Sequence, residues 1–439
     1  MANAVLLKSL GCRTNQEEMM SLSSRLLRSG YSVVDVIGKA DVVIVNTCFV
    51  TKYAETKARR MIAAISRLRP GVKICVTGCL AQHSPLDIKK KLPVTWVVGN
   101  NFKQDIPDIL SDASGGVYHD DIGKKKQGAL PVSDRCLPPL ESTRTRFFLK
   151  IQEGCDFACA YCVVPLVRGP SRSAGIADLE NACKRAIDQG YREIVITGTH
   201  IGQYRDKSMA GAGNLIDVVR RCAALEGDFR IRLSSLDLRD LSDTFLKMIG
   251  EHPKLCRHCH ISVQSLCAPL LAAMNRPCGD FDAFVNRLSA FRRQYPQVGL
   301  GGDFIVGFPG ETEGMFGETI ARIASIGFSY GHVFRYSRRP GTRAAAMEGQ
   351  VDEKEKSSRS VRMRKVLDMC HTSFVSSAMG RGRVHTILVE SENPAGGLAS
   401  NYLRCDVAGC RAQKNSWLRA VITGTDPESG HCIAAPAGA

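Results

Sequence analysis

The sequence predicts an α/β protein with an N-terminal open parallel α/β domain, a central partial (β/α)6 barrel and a small C-terminal all-β barrel. Short β-branched runs alternate with longer amphipathic segments in the first hundred residues and again from Phe147 to Tyr336, which is typical of parallel strands with crossover helices. The last sixty residues contain short runs separated by Gly-rich turns, typical of a small β-barrel. We therefore expect domains at 1–112, 142–372 and 373–439, with a linker at 113–141.

Four apolar runs predict the strands of the N-terminal domain. They are Ala4–Leu7, Asp41–Val45, Lys73–Val76 and Trp96–Val98. Amphipathic segments at Gln16–Arg28 and Ala54–Leu68 predict the first two helices. The second helix is expected to stop at Arg69-Pro70-Gly71, because proline and glycine end helices.

In the central domain we expect six strands with helices between them, the pattern of a partial α/β barrel. These strands are expected at Phe148–Gln152, Glu193–Thr197, Arg230–Ser234, His260–Gln264, Gly302–Val306 and His332–Tyr336. A strongly charged helix should follow at Glu353–Cys370. The C-terminal strands are expected at Val384–Glu390, Asn401–Val407 and Leu418–Thr423.

The composition indicates a globular protein with a polyanionic partner. Apolar residues make up 44% and charged residues 23% of the chain, which excludes an intrinsically disordered protein. There are 59 Lys and Arg against 43 Asp and Glu, a net charge of +16, and this excess favours nucleic acid ahead of an anionic membrane. We find no apolar run long enough to span a bilayer and no secretory signal pattern, so we expect a cytoplasmic protein without a membrane partner.

The 18 cysteines are many for a cytoplasmic protein, where disulfides are rare. Cys155, Cys159 and Cys162 follow a predicted strand at the spacing Cys-x3-Cys-x2-Cys, which suits one loop wrapped around one iron–sulfur cubane. Ferredoxin-type clusters use four cysteines, so a set of three leaves one iron open for a reactant. The alternatives are a zinc site, which generally pairs two separated half-sites, and buried structural thiols. The restrictive spacing favours the cluster.

A second set of three cysteines is spread over the N-terminal domain. Cys12, Cys48 and Cys79 each lie just after a predicted parallel strand. Because the loops at strand C-termini gather at one edge of an open α/β sheet, these thiols should meet there and could hold another cluster. The alternative is that each is a small buried residue at a strand end, since free cysteine is among the most buried residue types. Spacing this wide leaves both interpretations open.

Further motifs run along the whole chain. They are Leu10-Gly11-Cys12-x-x-Asn15, Val45-Asn46-Thr47-Cys48, Val76-Thr77-Gly78-Cys79, Arg168-Gly169-Pro170-Ser171-Arg172-Ser173, Met274-Asn275-Arg276, Asp303-Phe304-Ile305-Val306-Gly307-Phe308-Pro309-Gly310-Glu311-Thr312 and Phe334-Arg335-Tyr336-Ser337-x-Arg339-Pro340-Gly341-Thr342. The central motif, with the aromatic Tyr161 before its last cysteine, resembles that of radical S-adenosylmethionine (SAM) enzymes. Together the motifs resemble the methylthiotransferases, a radical SAM subfamily, over essentially the whole chain.

This resemblance implies two [4Fe-4S] clusters and SAM as cofactors, with both cysteine sets acting as metal ligands and as catalytic residues. The ligands of the radical cluster would be Cys155, Cys159 and Cys162. The ligands of the auxiliary cluster would be Cys12, Cys48 and Cys79. The resemblance also implies a SAM pocket, whose residues we expect to be Tyr161, Gly198, Ser235, Gln264, Asp303 and Gly307.

The resemblance further implies a reaction in which a methylthio group replaces the C2 hydrogen of a modified adenosine in tRNA. One SAM would supply the methyl group and a second SAM the radical. Phe148–Cys155 with Arg168–Arg172 is most similar to the branch that acts on threonylcarbamoyl-adenosine next to the anticodon, at position 37.

Three alternatives stay open. One is the branch that modifies isopentenyl-adenosine in tRNA. Another is the branch that modifies a ribosomal-protein aspartate, which favours Pro-Lys after the first cysteine, where this chain has Arg13-Thr14. The third, from another class, is a non-catalytic iron–sulfur protein that binds RNA. Two sets of three cysteines argue against it, because a structural cluster gains nothing from an open iron.

The expected partners are a tRNA anticodon stem-loop and an electron donor such as flavodoxin or ferredoxin, acting on a monomer. The C-terminal strands resemble a TRAM domain, a small β-barrel that binds RNA in this family, but they hold few basic residues. We therefore expect a separate basic track to neutralise the tRNA phosphates. Its members are Arg335, Arg338, Arg339, Arg343, Lys354, Lys356, Arg359, Arg362, Arg364 and Lys365.

The remaining cysteines carry no convincing ligand pattern. Cys256-x2-Cys259 with His258 and His260 could be half of a zinc site, but we find no second half nearby and favour a structural role. We interpret the others as buried or incidental thiols. They are Cys75, Cys136, Cys183, Cys222, Cys267, Cys278, Cys370, Cys405, Cys410 and Cys432.

Overall fold

The computed structural model describes residues 4–112, 114–122, 130–132, 145–208, 213–276, 279–380 and 382–438. Within these ranges the chain has parallel sheets with helices and ends in a closed β-barrel, as the sequence predicts. Most of the expected linker at 113–141 lies outside the described residues, as do Cys136 and Cys278. Among the described helices, none combines the length and the apolar character needed to cross a lipid bilayer.

The N-terminal part is a parallel sheet with helices packed against it. Its elements are β1 (Ala4–Ser9), α1 (Arg13–Arg28), β2 (Ser32–Val34), β3 (Val42–Thr47), α2 (Lys52–Leu68), β4 (Lys73–Gly78), α3 (Cys79–His83), α4 (Pro85–Lys91), β5 (Trp96–Val98), α5 (Ile106–Ile109) and β6 (Gly116–Tyr118). The strand order is β2-β1-β3-β4-β5-β6, so the strands before the three cysteines are neighbours. The sequence pattern does not predict β2 and β6, because both are very short and β6 begins in a glycine pair.

Local chemistry explains where α2 begins and ends. The side chain of Thr51 accepts a hydrogen bond from the backbone N–H of Ala54, the usual way to satisfy a free amide at a helix start. Ala58, Ile62 and Ile65 recur at helical spacing and are buried against the sheet. The helix stops before Pro70, as predicted.

The central part alternates strands and helices. Its elements are β7 (Arg146–Glu153), α6 (Val164–Arg168), β8 (Arg172–Ser173), α7 (Ile176–Asp188), β9 (Glu193–Gly198), α8 (Leu215–Ala224), β10 (Arg230–Leu233), α9 (Asp243–Glu251), β11 (His258–Gln264), α10 (Ala268–Ala273), α11 (Phe281–Gln294), β12 (Gly299–Val306), α12 (Glu313–Ile326), β13 (Tyr330–Arg335) and α13 (Glu353–Ala378). The sheets β10-β9-β7-β8 and β11-β12-β13 are joined by the isolated bridges Ile231–Leu255 and Leu236–Ile261. They therefore curve into one partial barrel, whose six parallel strands correspond to the six predicted from the sequence.

The C-terminal part is a closed barrel. Its strands are β14 (Val384–Glu392), β15 (Ala395–Ala399), β16 (Arg404–Val407), β17 (Trp417–Thr425) and β18 (Cys432–Pro436), in the order β14-β15-β16-β18-β17. The sequence pattern does not predict β15, whose Ala-Gly-Gly-Leu-Ala composition has low strand propensity, nor β18. The end of α13 contributes Phe374, Val375 and Ala378 to this barrel's core, so that helix runs further than the predicted Glu353–Cys370.

A buried ion-pair network joins the central and C-terminal parts. Glu193 on β9 accepts hydrogen bonds from Arg230 Nε at 2.6 Å and Arg232 Nε at 2.8 Å. The same guanidinium groups donate to β15, Arg230 to the Leu398 carbonyl at 2.7 Å and Arg232 to the Ala399 carbonyl at 3.1 Å. Burial would raise the pKa of Glu193, but Arg232 and Arg230 hold it far below its usual range. The carboxylate therefore stays charged and ties two arginines to the β-barrel.

We expect Glu193→Gln to lower the free energy of unfolding by about 3–5 kcal/mol, because it leaves two buried guanidinium groups without a counter-charge. The folded-state pKa of Glu193 is depressed, so its contribution should be complete above the ordinary glutamate pKa of about 4.3 and should fall as the pH drops below it. Urea unfolding at pH 7 and near pH 4 measures both effects.

The matched control is Glu318→Gln, which breaks a partly exposed pair with Arg322. It should change the free energy of unfolding by less than about 1 kcal/mol. Equal effects of the two substitutions would contradict the importance assigned to the buried network.

Candidate active site

Cys12, Cys48 and Cys79 lie together at one edge of the N-terminal sheet. They follow β1, β3 and β4, which pair in parallel. Burial raises the pKa of Cys48 to about 12, with further contributions from Cys79 and Cys12. Burial likewise raises the pKa of Cys79, to which Cys12 also contributes. Three thiols distant in sequence are thus close enough to influence one another, and none forms a disulfide.

Close packing around the first set requires glycine at Gly11. Its φ is +114°, in the region that other residues rarely adopt. A Cβ there would lie 2.8 Å from Cys48 Cβ and 3.0 Å from the amide nitrogen of Asn15. The absence of a side chain at this position therefore lets the loop of Cys12 approach that of Cys48.

The second set lies on the loop between β7 and α6. Burial raises the pKa of Cys162 to about 12, and the thiols of Cys159 and Cys155 add to this shift. A residue outside the loop stabilises its conformation: Asn275 Nδ2 donates a hydrogen bond to the Ala158 carbonyl at 2.7 Å. This bond ties the loop to the segment after α10, and Cys155 and Cys159 lie close enough to Cys162 to affect its pKa.

Polar side chains surround these thiols. Arg276 Nη1 lies 3.8 Å from Cys159 Sγ, and its Nη2 pairs with Asp237 at 2.7 Å. The Tyr161 hydroxyl is also hydrogen-bonded with Cys159, and burial raises the pKa of Tyr161 well above its usual value. On the other side, His200 Nδ1 is 4.0 Å from Cys155 Sγ. The sequence gives no signal for His200, whereas Arg276 belongs to one of the motifs.

One buried arginine links the segments that carry the two sets. Arg168 Nη1 contacts Glu18 at 2.7 Å and Glu153 at 3.0 Å, and its Nη2 donates to Asn15 Oδ1 at 2.8 Å. The same Asn15 oxygen lies 3.6 Å from Cys12 Sγ, while Glu153 directly precedes the loop of the second set. Burial would raise the pKa of Glu18, but Arg168 and its cationic neighbours hold it well below the usual range.

Most of the expected SAM-pocket residues lie at strand ends on the side of the second set. Tyr161 lies beside Cys159. Four others occur at or just after the C-termini of successive strands: Gly198, Ser235, Gln264 and Gly307. This edge is where ligands bind in α/β barrels. Contact of these residues with SAM stays a prediction.

Asp303 is placed differently, inside β12. Its Oδ1 lies 3.1 Å from both His260 Nε2 and His332 Nδ1, and these histidines hold the Asp303 pKa below its usual range against the effect of burial. The hydroxyl of Tyr330 lies 2.8 Å from His260 Nδ1 and 2.7 Å from His258 Nε2. The ligand atoms of Asp303, His260 and His332 lie within 4.8 Å of one another, close enough to hold a metal ion. Because hydrogen bonds explain the close spacing of these three side chains, we interpret them as a hydrogen-bonded cluster and not as a metal site.

The side chains of the Cys256–His260 segment do not converge on one point, as the ligands of a zinc half-site would. His258 and His260 bond to Tyr330, whereas Cys259 belongs to the hydrophobic core and is fully buried. Alternate residues of a strand point to opposite faces, so the histidines and Cys259 diverge. This geometry agrees with the structural role expected for the cysteines.

The expected basic track is only partly exposed. Arg339, Lys356 and Arg359 are buried, and Arg339 pairs with Glu55 while Arg359 pairs with Glu311. The prediction that these three contact phosphates is wrong, because charge composition does not reveal which cations are already paired. The exposed members are Arg335, Arg338, Arg343, Lys354, Arg362, Arg364 and Lys365.

Comparison with known proteins gives matches over most of the chain. Residues 4–99 match the uncharacterized protein family UPF0004 and residues 149–323 the radical SAM superfamily. A threonylcarbamoyladenosine tRNA methylthiotransferase of Thermotoga maritima is 37% identical over 81% of this chain and 80% of its own length. One from Bacillus subtilis is 34% identical over 91% and 89%. A tRNA-2-methylthio-N(6)-dimethylallyladenosine synthase of Jannaschia sp. is 32% identical over 87% and 82%.

A solved structure shares the fold at lower sequence similarity. It is the radical SAM methyltransferase TsrM from Kitasatospora setae with cobalamin and a [4Fe-4S] cluster bound, with a TM-score of 0.56 at 16% identity over 78% of this chain and 74% of that one. Together, the two family matches cover the parts that carry the two cysteine sets, and relatives above 30% identity span most of both chains. This protein therefore belongs to the radical SAM methylthiotransferase family.

Proposed function

We propose that this protein is a tRNA methylthiotransferase that replaces the C2 hydrogen of threonylcarbamoyl-adenosine at position 37 with a methylthio group. The observation that carries the proposal is the pair of three-cysteine sets joined through the buried Arg168. The relatives named for this substrate are 37% and 34% identical, and those named for dimethylallyladenosine are 31% or 32% identical. This difference supports the threonylcarbamoyl branch.

The two donor sets fit two [4Fe-4S] clusters. In each set, three thiols outside any disulfide come together, and thiolates are the ligands that such clusters take. The proposed ligands are Cys155, Cys159 and Cys162 for the radical cluster and Cys12, Cys48 and Cys79 for the auxiliary cluster. A cluster held by Cys155, Cys159 and Cys162 would, together with SAM, supply radical chemistry, which is needed because the carbon–hydrogen bond is too strong for acid–base removal.

The residues around each set orient the ligands. Arg276, held by Asp237, donates toward Cys159 Sγ, and hydrogen bonds to a ligand sulfur stabilise its negative charge. Arg168 ties the segments that carry the two sets to each other, because it pairs with buried carboxylates on both of them. If both sets hold clusters, transfer of a group from one to a substrate activated at the other would require such a defined arrangement of the two segments.

We further propose a SAM pocket at the strand ends beside the radical set, lined by Tyr161, Gly198, Ser235, Gln264 and Gly307. The relatives' names and the net charge of +16 support tRNA as the substrate. Three further expectations stay predictions: an electron donor of the flavodoxin or ferredoxin type, a monomeric state, and the limits of the domains.

We expect about eight irons per chain after anaerobic reconstitution, the content of two cubanes. Cys79→Ala should reduce this to about four and preserve SAM cleavage, whereas Cys159→Ala should also leave about four but abolish release of 5′-deoxyadenosine. Iron analysis and chromatography of the SAM products measure both. Cys370→Ala, which changes a half-buried thiol on α13, is the matched control and should keep the full content. An unchanged iron content in Cys79→Ala would rule out the auxiliary site.

Deletion of the gene should remove the methylthio form of threonylcarbamoyl-adenosine from bulk tRNA and leave its unmethylthiolated precursor. Mass spectrometry of tRNA nucleosides measures this, and a plasmid-borne copy should restore the product. Loss of the methylthio isopentenyl nucleoside instead would favour the other tRNA branch. An unchanged nucleoside profile would exclude a tRNA substrate.

The exposed part of the basic track should bind tRNA phosphates. Arg335→Glu, Arg338→Glu and Arg343→Glu together should weaken tRNA binding by about tenfold or more at low salt and reduce its salt dependence, because three cations are lost. Filter binding at several salt concentrations tests this. The matched control reverses three exposed cations elsewhere: Lys57, Arg60 and Lys91. Equal loss in both variants, or no loss in the first, would reject the track.

A further inference from the structure

The lumen of the central barrel is lined by polar and aromatic side chains that have no part in the proposed iron–sulfur chemistry. On β13, Gly331 faces the outer helix, since a Cβ there would lie 2.7 Å from Leu367 of α13. Alternate strand residues face opposite sides, so Tyr330, His332 and Phe334 point into the lumen. The His332 side chain is 55% exposed and Phe334 is 42% exposed, so the lumen is open at this level.

These side chains form one connected group, here called the lumen cluster. It consists of His258, His260, Asp303, Tyr330, His332 and Tyr402. Tyr402 comes from the C-terminal barrel and stacks on His258 at 4.4 Å and on Tyr330 at 5.0 Å between ring centroids. A polar wall of this kind is unsuited to an apolar ligand, because the buried polar groups would lose hydrogen bonds to water without replacement.

Arg13 borders both this cluster and the first cysteine set. It directly follows Cys12, and its Nη2 donates to the Tyr402 hydroxyl at 3.2 Å. Its Nη1 lies 3.5 Å from the Leu233 carbonyl at the end of β10. The guanidinium therefore lies between the proposed auxiliary site and the lumen cluster.

Arg13 differs from the other arginines around the lumen in its lack of a carboxylate partner. Among the described residues, no Asp or Glu forms an ion pair with Arg13, whereas three buried arginines nearby each have such a partner: Arg168, Arg232 and Arg276. The side chain of Arg13 is only partly buried. A cation in this position, with hydrogen-bond donors unused, is suited to an anionic group of a ligand.

The chemistry of the proposed substrate supplies such a group. A threonylcarbamoyl substituent carries a carboxylate, a hydroxyl and a urea, whereas an isopentenyl substituent has no polar atom. Arginine binds a carboxylate through two parallel N–H bonds, which adds both affinity and orientation. The urea N–H groups and the hydroxyl are donors, and Asp303 is an ionised acceptor on the lumen wall.

We propose that Arg13 binds the carboxylate of the threonylcarbamoyl substituent and that Asp303 with His332 receives its urea and hydroxyl groups. This inference rests on the proposed function and assigns the residues that select its substrate. The inference also assigns Asp303 to the nucleoside instead of SAM. Asp303 is the one residue of the expected SAM pocket that we reassign. The arrangement would hold the base beside the auxiliary set, with its substituent directed into the lumen.

The test measures binding of anticodon stem-loops to the reconstituted holoenzyme by fluorescence anisotropy. The loops carry unmodified adenosine, threonylcarbamoyl-adenosine, isopentenyl-adenosine, or a carbamoyl analogue without the carboxylate. The unsubstituted enzyme should prefer the threonylcarbamoyl loop over the unmodified loop by about tenfold or more, the size of one charge-assisted bidentate contact. Arg13→Gln should abolish this preference and leave affinity for the unmodified loop unchanged, since the proposed phosphate contacts lie on the exposed basic track.

Two further comparisons isolate the arginine–carboxylate pair. The carboxylate-free loop should bind Arg13→Gln and the unsubstituted enzyme equally, as expected when one partner of the pair is already missing. Arg13→Lys should keep part of the preference, because it retains the charge but not the bidentate geometry. Arg60→Gln, which removes an exposed cation of α2, is the matched control and should keep all of it. Iron content verifies that each variant is correctly assembled.

A preference that persists in Arg13→Gln would overturn the inference, as would an equal loss of affinity for the carboxylate-free loop. An unsubstituted enzyme without any preference for the threonylcarbamoyl loop would also overturn it. Failure of the proposed function has a different signature, because the unsubstituted enzyme would then bind the loop but form no methylthio product. Preference for an isopentenyl loop would overturn both.

Discussion

The buried guanidinium of Arg168 is the contact on which the geometry of the site depends. It joins Glu18 of the N-terminal part to Glu153 of the central barrel, and its side chain is only 3% exposed. A buried ion pair contributes little net stability, but loss of one partner leaves a charge uncompensated. The pair therefore tolerates few alternative geometries, and it sets how the two cysteine-bearing segments face each other.

The same physical principle operates where the C-terminal barrel meets the central one. Arg230 and Arg232 satisfy both the Glu193 carboxylate and the carbonyl groups of β15, so the position of β15 is tied to strands of the central barrel. Tyr402, shortly after β15, then stacks within the lumen. All three parts of the chain thus contribute side chains to a single cavity wall.

Sequence patterns predict those features that depend on neighbours along the chain. Strand ends followed by cysteine could be located because parallel strands bring their C-termini to one edge, and the spacing of Cys155, Cys159 and Cys162 restricts the possible ligands. Individual side-chain pairings between distant residues could not be predicted. Arg13 and Tyr402 are separated by 389 positions, and the burial of Arg339 follows from its pairing with Glu55, which no local pattern shows. The Ala- and Gly-rich β15 is a strand because its neighbours impose it.

Through Tyr402 and the residues beside it, the C-terminal barrel also forms part of the wall of the central barrel. The residues just before it pack so closely on β12 that a Cβ at Gly299 would collide with the Asn401 carbonyl, and little room is left at this seam. The C-terminal barrel consequently packs directly on the start of β12, and its Tyr402 covers His258 and Tyr330 on one side of the lumen cluster. Because this contact leaves no space for a side chain at Gly299, the sequences of the central and C-terminal barrels cannot change independently at this seam.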